Sequence, residues 1–266
     1  MNLLDTLARR PEAYHQAIPR AIHARDIAHQ GPAAIGERVI TKEVGLERYL
    51  HYDWYRRFSL LDHFLHPDTR LETFINMSYG EQGDFINQAY ELEAHEADDA
   101  VVLTLSRSGH VWIGPEFWPV SITKEIRVPR TGTGFTVDYT LTNGRERPVE
   151  VWFGVELNLN MRTSNDTQRV FYSPAGRHVE PSSLAATAQD EHIAEIGLKD
   201  GAQRLDIQLG WSVPGDLWRF PLETVSRSES GFERVYQSTV LLPHWRVQLP
   251  AGGTWSCRLH QRISDL

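Results

Sequence analysis

Residues 151–161, VWFGVELNLNM, constrain this chain more than any other stretch. Val151, Phe153, Val155, Leu157, Leu159 and Met161 share one parity, while Trp152, Gly154, Glu156, Asn158 and Asn160 share the other. That is the two-residue period of a β-strand. At roughly 3.3 Å per residue such a strand runs about 36 Å, longer than most, so it is expected to cross a large sheet near its middle. The odd face reads as core. The even face carries one carboxylate, two amides and an indole in a row, a set suited to sugar hydroxyls and a pyranose ring, and equally to a polar solvated face with side-chain ladders.

Strand signals continue from Leu71 to the C-terminus. The spacing predicts strands over 71–77, 86–93, 100–106, 120–128, 135–143, 148–161, 192–198, 203–210, 232–242, 244–249 and 254–263, most of them alternating. Asn143-Gly144 reads as a type I′ hairpin turn, because both residues tolerate positive φ. No helices separate the strands in a βαβ rhythm, so the sheet is antiparallel and the class is a sandwich. The polar stretch 162–191 reads as an extended loop.

The start of the chain has a different period. Leu3, Leu4, Leu7, Tyr14, Ile18, Ile22 and Ile27 recur at steps of three and four, with Pro11 and Pro19 dividing them into two or three short helices. GPAAIG at 31–36 reads as a linker, and Thr41 as the cap of a short helix TKEVGLERYL. Trp54, Phe58, Leu61 and Leu65 then mark one face of a further helix within YDWYRRFSLLDHFL. The expected division is a helical region over 1–66 and a β domain over 67–266.

Composition excludes several functions. With 27 Lys and Arg against 35 Asp and Glu, the formal charge is −8, the wrong sign for holding phosphates, and nucleic acid is not an expected partner. No apolar run has the length of a membrane span or signal segment, so a soluble, cytoplasmic protein is expected. Cys257 is the single cysteine and lies on the apolar parity of its strand, which excludes an internal disulfide and makes it a core thiol. There is no phosphate loop, zinc-protease pattern or nucleophile elbow, and no cofactor or metal is expected. His15, His23 and His29 are spaced eight and six apart, not as metal ligands are. His63 and His66, with Asp62 and Asp68 beside them, read as packing in preference to a metal site.

Chemistry therefore has to come from carboxylates and histidines, and Glu156 is the candidate catalytic residue because it lies mid-strand between Gly154 and Asn158. Eight tryptophans point to carbohydrate, since indoles stack on sugar faces, with a well-filled core as the competing account. Trp152, Glu156, Asn158, Trp112, Trp118, Trp218 and Arg219 form the candidate binding set. Trp112, Phe117 and Trp118 flank the turns of VWIGPEFWPV, and Trp218 and Arg219 open the charged stretch 218–237, read as a loop.

KEVGLERYL, YDWYRRFSLLDHFL, VWFGVELNLNM and WRFPLETVSRSESGFERVYQSTVLLPHWRVQLPAGGTWSCRL occur in this order. Together they resemble the C-terminal region of glycoside hydrolase family 57 alpha-amylases and 4-alpha-glucanotransferases. The resemblance implies a galactose-mutarotase-like antiparallel β-supersandwich. It also implies that catalysis resides in an upstream (β/α) barrel. Only 41 residues precede the resemblance, whereas such a barrel needs about 200 or more, and the family's two catalytic carboxylates have no counterpart here.

Three readings follow. The first is a non-catalytic β-supersandwich that binds α-glucan or assists a separately encoded catalytic barrel. The second is a mutarotase- or epimerase-like enzyme with Glu156 as base and a histidine as acid; a deep pocket holding Glu156 within hydrogen-bond reach of a histidine would favour it. The third is a structural module forming a homo-oligomer through its N-terminal helices. Under the first, Glu156→Gln is expected to weaken glucan binding and leave the melting temperature nearly unchanged.

Overall fold

A computed structural model describes residues 8–18, 42–229 and 231–266. The expectations for Leu3, Leu4, Leu7, Pro19, Ile22, His23, Ile27, His29, the 31–36 linker and the Thr41 cap lie outside the described residues. Within them are 3-10 turns at Ala13–Gln16 and Leu46–Tyr49, strand β1 (Leu61–Phe64) and helix α1 (Leu71–Ile75). The strands β2 (Glu91–Glu96), β3 (Ala100–Ile113), β4 (Glu116–Pro129), β5 (Gly134–Asn143) and β6 (Val149–Leu159) follow. The last five are β7 (Arg169–Tyr172), β8 (Ala188–Asp200), β9 (Leu205–Ser228), β10 (Gly231–Leu249) and β11 (Thr254–Asp265).

Every pairing among these strands is antiparallel. The order is β1-β6-β10-β9-β11-β5-β4-β3-β2, with β8 beside β9 and β7 beside β8. β9 changes partner along its length. Its first part, 205–211, pairs with β11, and its later part, 216–228, pairs with β10. The sheet thereby folds over itself: Val137, Tyr139 and Leu141 of β5 share one buried cluster with Val151, Phe153, Val155, Leu157 and Leu159 of β6, although β5 and β6 are not paired. Phe153 sits at the centre, 5.8 Å from the Tyr139 ring, 6.0 Å from Trp255 and 6.4 Å from Trp245. This is the expected antiparallel supersandwich, with the odd face of β6 in its core. Cys257 is buried there as a free thiol.

Several local expectations are corrected. The helix expected within 52–65 is not formed: Trp54 and Phe58 are exposed, and Leu61–Phe64 pairs with the edge of β6. His63 and Phe64 of β1 are both fully buried, on opposite faces, and a strand covered on both sides does not alternate. The strand expected over 71–77 is α1 at 71–75. The loop 162–191 contains β7 and the start of β8, and the charged stretch 218–237 is the β9–β10 ribbon. Asn143-Gly144 closes no hairpin, because residues 144–148 carry the chain from one layer to the other. Asn143 instead spends its amide on that crossing, donating to the carbonyls of Arg147 and Pro250 at 2.8 Å each and accepting from Trp118 Nε1 at 2.8 Å. No helix among the described residues is long and apolar enough to cross a membrane.

Candidate functional site

The even face of β6 is covered. A second, smaller core joins Trp152 to Trp218, Phe220 and Leu222 of β9, Val240 and Leu242 of β10, Leu65 and Phe74. Helix α1 and the segment before β1 form its lid. Trp152 is 8% exposed, and Glu156 and Asn158 are wholly buried. On this face His63 of β1 and His244 of β10 both lie opposite Gly154. A Cβ on Gly154 would come within 3.3 Å of His244 Cβ and of Leu242, so the glycine admits the close approach of β10.

Glu156 is the hub of a buried chain of alternating charges. Its Oε1 accepts from Arg57 Nη1 at 3.0 Å and from Asn158 Nδ2 at 2.6 Å. Its Oε2 accepts from the Tyr55 hydroxyl at 2.6 Å and faces His63 Nε2 at 3.0 Å. Beyond Arg57, Nε donates to Asp53 at 2.9 Å, and Asp53 also binds Arg9. On the other side, His63 Nδ1 faces Glu81 at 3.0 Å. Arg9, Asp53, Arg57, Glu156, His63 and Glu81 thus alternate in sign, and each charge is compensated by its neighbours, as burial requires. Burial alone would raise the Glu156 carboxyl, but Arg57, His63 and Asn158 hold it at about 2. Burial likewise opposes protonation of His63, yet the bonds to Glu156 and Glu81 prevail and lift it to about 9. His63 is therefore an imidazolium donating from both nitrogens.

Proximity of Glu156 to a histidine, one condition for the mutarotase-like reading, is thus present without the chemistry. A general base needs a free lone pair, and an acid must release its proton near the working pH. Both oxygens of Glu156 already take two donors each, and both N–H groups of His63 are committed.

Past Gly154 the lid ends, and a cleft of about 520 Å³ opens between residues 69–72 and the wall formed by Trp152, Trp218, His244 and Arg246. Trp152 and Trp218 meet edge to face at 5.5 Å, and His244 packs against them at 5.3 and 4.7 Å. Arg246 lies 3.8 Å above the Trp152 ring. Trp152 Nε1 donates to His244 Nδ1 at 3.0 Å, and Trp218 Nε1 donates to Gln189 at 3.0 Å. Burial pushes His244 down to about 4, Asp216 opposing and Arg246 assisting, so the ring is neutral near pH 7. An indole N–H can only donate; Nδ1 is therefore the acceptor, and the proton of His244 sits on Nε2.

Of the seven residues singled out from the sequence, the fold brings Trp152 and Trp218 together in this cleft and sets Glu156 and Asn158 side by side beneath the lid. The other three lie elsewhere. Arg219 is fully buried, its Nε donating to Asp190 at 2.6 Å and its Nη1 to the Pro181 carbonyl at 2.6 Å. Trp118 is buried on β4 with the guanidinium groups of Arg145 and Arg147 over its ring at 4.7 and 4.5 Å. Trp112, 45% exposed, stands opposite Phe117 at the tip of the β3–β4 hairpin. Sequence reasoning missed His244, Arg246 and Thr69. His244 and Arg246 share the parity of Val240 and Leu242, but only the β6–β10 register sets Arg246 opposite Trp152.

A family model described as Alpha-amylase/4-alpha-glucanotransferase, C-terminal, matches residues 1–259. The chain is 30% identical to Alpha-amylase 1 of Dictyoglomus thermophilum over 254 residues, which are 96% of this chain and 34% of that protein. It is 31% identical to the 4-alpha-glucanotransferase of Thermococcus litoralis over 248 residues, 91% of this chain and 33% of that one. It thus spans about a third of the length of these relatives. The crystal structure of the Thermococcus litoralis 4-alpha-glucanotransferase matches with a TM-score of 0.69 and 25% identity, over 97% of this chain and 31% of that one. A galactose mutarotase-like protein of Clostridium acetobutylicum matches with a TM-score of 0.52 over 79% of this chain and 80% of that one; at 9% identity the likeness is one of fold alone.

Proposed function

Because this chain belongs to the alpha-amylase/4-alpha-glucanotransferase C-terminal family, we propose that it is a non-catalytic, α-glucan-associated domain that works beside a catalytic domain of that enzyme type. The observation that carries this reading is the extent of the match: nearly all of this chain corresponds to about one third of each relative. Most glycoside hydrolysis uses a pair of positioned carboxylates, and the carboxylate on the central strand, Glu156, has its acceptor positions filled from within the protein. In this reading Glu156 and Asn158 hold the lid to the sheet, and Trp152 and Trp218 belong to the sugar-facing surface. The catalytic partner is a barrel, on the same or another chain, and the protein works in the cytoplasm.

The test is the purified chain on maltooligosaccharides, assayed for glucose release, for redistribution of chain length and for heat of binding. Binding without turnover is expected. Turnover that a point substitution in this chain abolishes, with contaminating amylase controlled for, refutes the reading.

A further inference from the structure

We propose that the cleft between residues 69–72 and strands β6, β9 and β10 is a subsite for one neutral sugar ring of an α-glucan, whose hydroxyls are bound by His244 Nε2–H and Thr69 Oγ1. The inference deepens the α-glucan reading above and rests on it. His244 and Thr69 are 4% and 7% exposed, and both line the cleft. Each carries a buried polar atom, His244 Nε2 and Thr69 Oγ1, with no hydrogen-bond partner in the protein. A buried polar group without a partner forfeits its bonds to water, which is why such groups are few and call for an explanation. Two in one cleft, a fixed N–H donor and a hydroxyl that both donates and accepts, match the hydroxyls of a sugar, which do the same.

The remaining walls narrow the ligand class. Arg70, Arg246, Glu72 and Asp216 all line the same cleft; two charges of each sign leave it without net charge, so neither an anion nor a cation is favoured. Trp152 and Trp218 line the cleft with only the small parts of their indoles that packing leaves uncovered, 8% and 3% exposed, and the volume of about 520 Å³ falls within the range of small-molecule sites. The His244 donor is held in place by Trp152 through the opposite ring nitrogen, so its tautomer does not depend on the ligand.

The test uses the full chain, titrated calorimetrically with maltotriose to maltohexaose as wild type, Thr69→Val and His244→Phe, alongside the ¹⁵N resonance of His244 Nε2. Thr69→Val keeps the shape and deletes only the hydroxyl. It is expected to weaken binding about ten-fold, the equivalent of one lost hydrogen bond, while the melting temperature holds or rises because an unpartnered group has been removed. Maltopentaose is expected to shift the His244 resonance. Wild-type binding that Thr69→Val leaves unchanged, with the His244 resonance unmoved, overturns this subsite and leaves the α-glucan reading standing. A wild type that gives no heat at millimolar maltohexaose overturns both. Should His244→Phe fail to fold, Thr69→Val and the resonance still decide the matter.

Discussion

Four donors converge on the carboxylate of Glu156, and none comes from solvent. Removing its charge leaves Arg57 and His63 buried without their shared counterion, and breaking a buried pair on one side costs about 3–5 kcal/mol. Glu156→Gln is therefore expected to lower stability by about that amount in a denaturant titration, contrary to the expectation from sequence that the melting temperature would hold. The pH dependence follows from the same groups. The Glu156 carboxyl drops from an ordinary 4.5 to about 2 in the folded state, so its contribution is complete above about pH 4.5 and drains as pH falls towards 2. His63 rises from 6.5 to about 9; its contribution is complete below about pH 6.5 and is lost as pH climbs through 9. His244, held down to about 4, favours the folded state above 6.5 and loses that advantage as pH falls through 6.5 towards 4. The melting temperature is expected to peak near pH 6.5 and decline on both sides, and His63→Gln should remove the alkaline decline. Persistence of that decline in the variant would assign it to another group.

Two tryptophans six residues apart show what a strand's parity decides. Across the Gly114-Pro115 turn, Trp112 pairs with Phe117 on the open side, and Val111 pairs with Trp118 on the core side. Trp112→Ala is expected to change stability by no more than about 0.5 kcal/mol, as exposed substitutions do. Trp118→Ala removes a buried indole and its bond to Asn143, and about 3–5 kcal/mol is expected to go with it; equal melting temperatures for the two variants would contradict the packing. This difference was not read from the sequence, where both tryptophans stood at turns between strands expected over 100–106 and 120–128 and in one candidate binding set; the β3–β4 register separates them. Nor was the β1 strand. Trp54, Phe58, Leu61 and Leu65 match a helical period, yet Leu61–Phe64 takes its backbone bonds from β6, a partner about ninety residues away that no local pattern reveals. The same non-locality hid the lid. With β1 read as helix and α1 as strand, nothing in the sequence said that the even face of β6 would be covered, so Glu156 read as a group facing a ligand. Asn143-Gly144 misled in the opposite way: the turn residues are real, but they serve a crossing between layers.

The supersandwich itself was readable, because it needs only many alternating segments without intervening helices, and the family motifs supplied its particular form. What binds the molecule into one unit is less local. β6 buries its odd face in the main core and its even face in the smaller one. β9 runs 24 residues and pairs first with one layer and then with the other. The ion chain from Arg9 to Glu81 ties the segment before β1 to the same strand, so the smaller core cannot open without stripping β6 of partners that the main core also needs. Regions open separately only where few buried contacts join them to the rest, and here the two cores share their central strands. Unfolding in urea is therefore expected to be a single transition. Fluorescence, to which Trp152 and Trp218 of the smaller core and Trp211 and Trp245 of the main core all contribute, should coincide with the far-ultraviolet circular dichroism of the whole sheet. Variants that keep tryptophan in only one core sharpen the comparison. If the midpoint reported by Trp152 and Trp218 falls clearly below that of the sheet, the lid with its cleft is a separable layer, and β6 does not couple the two cores as its burial implies.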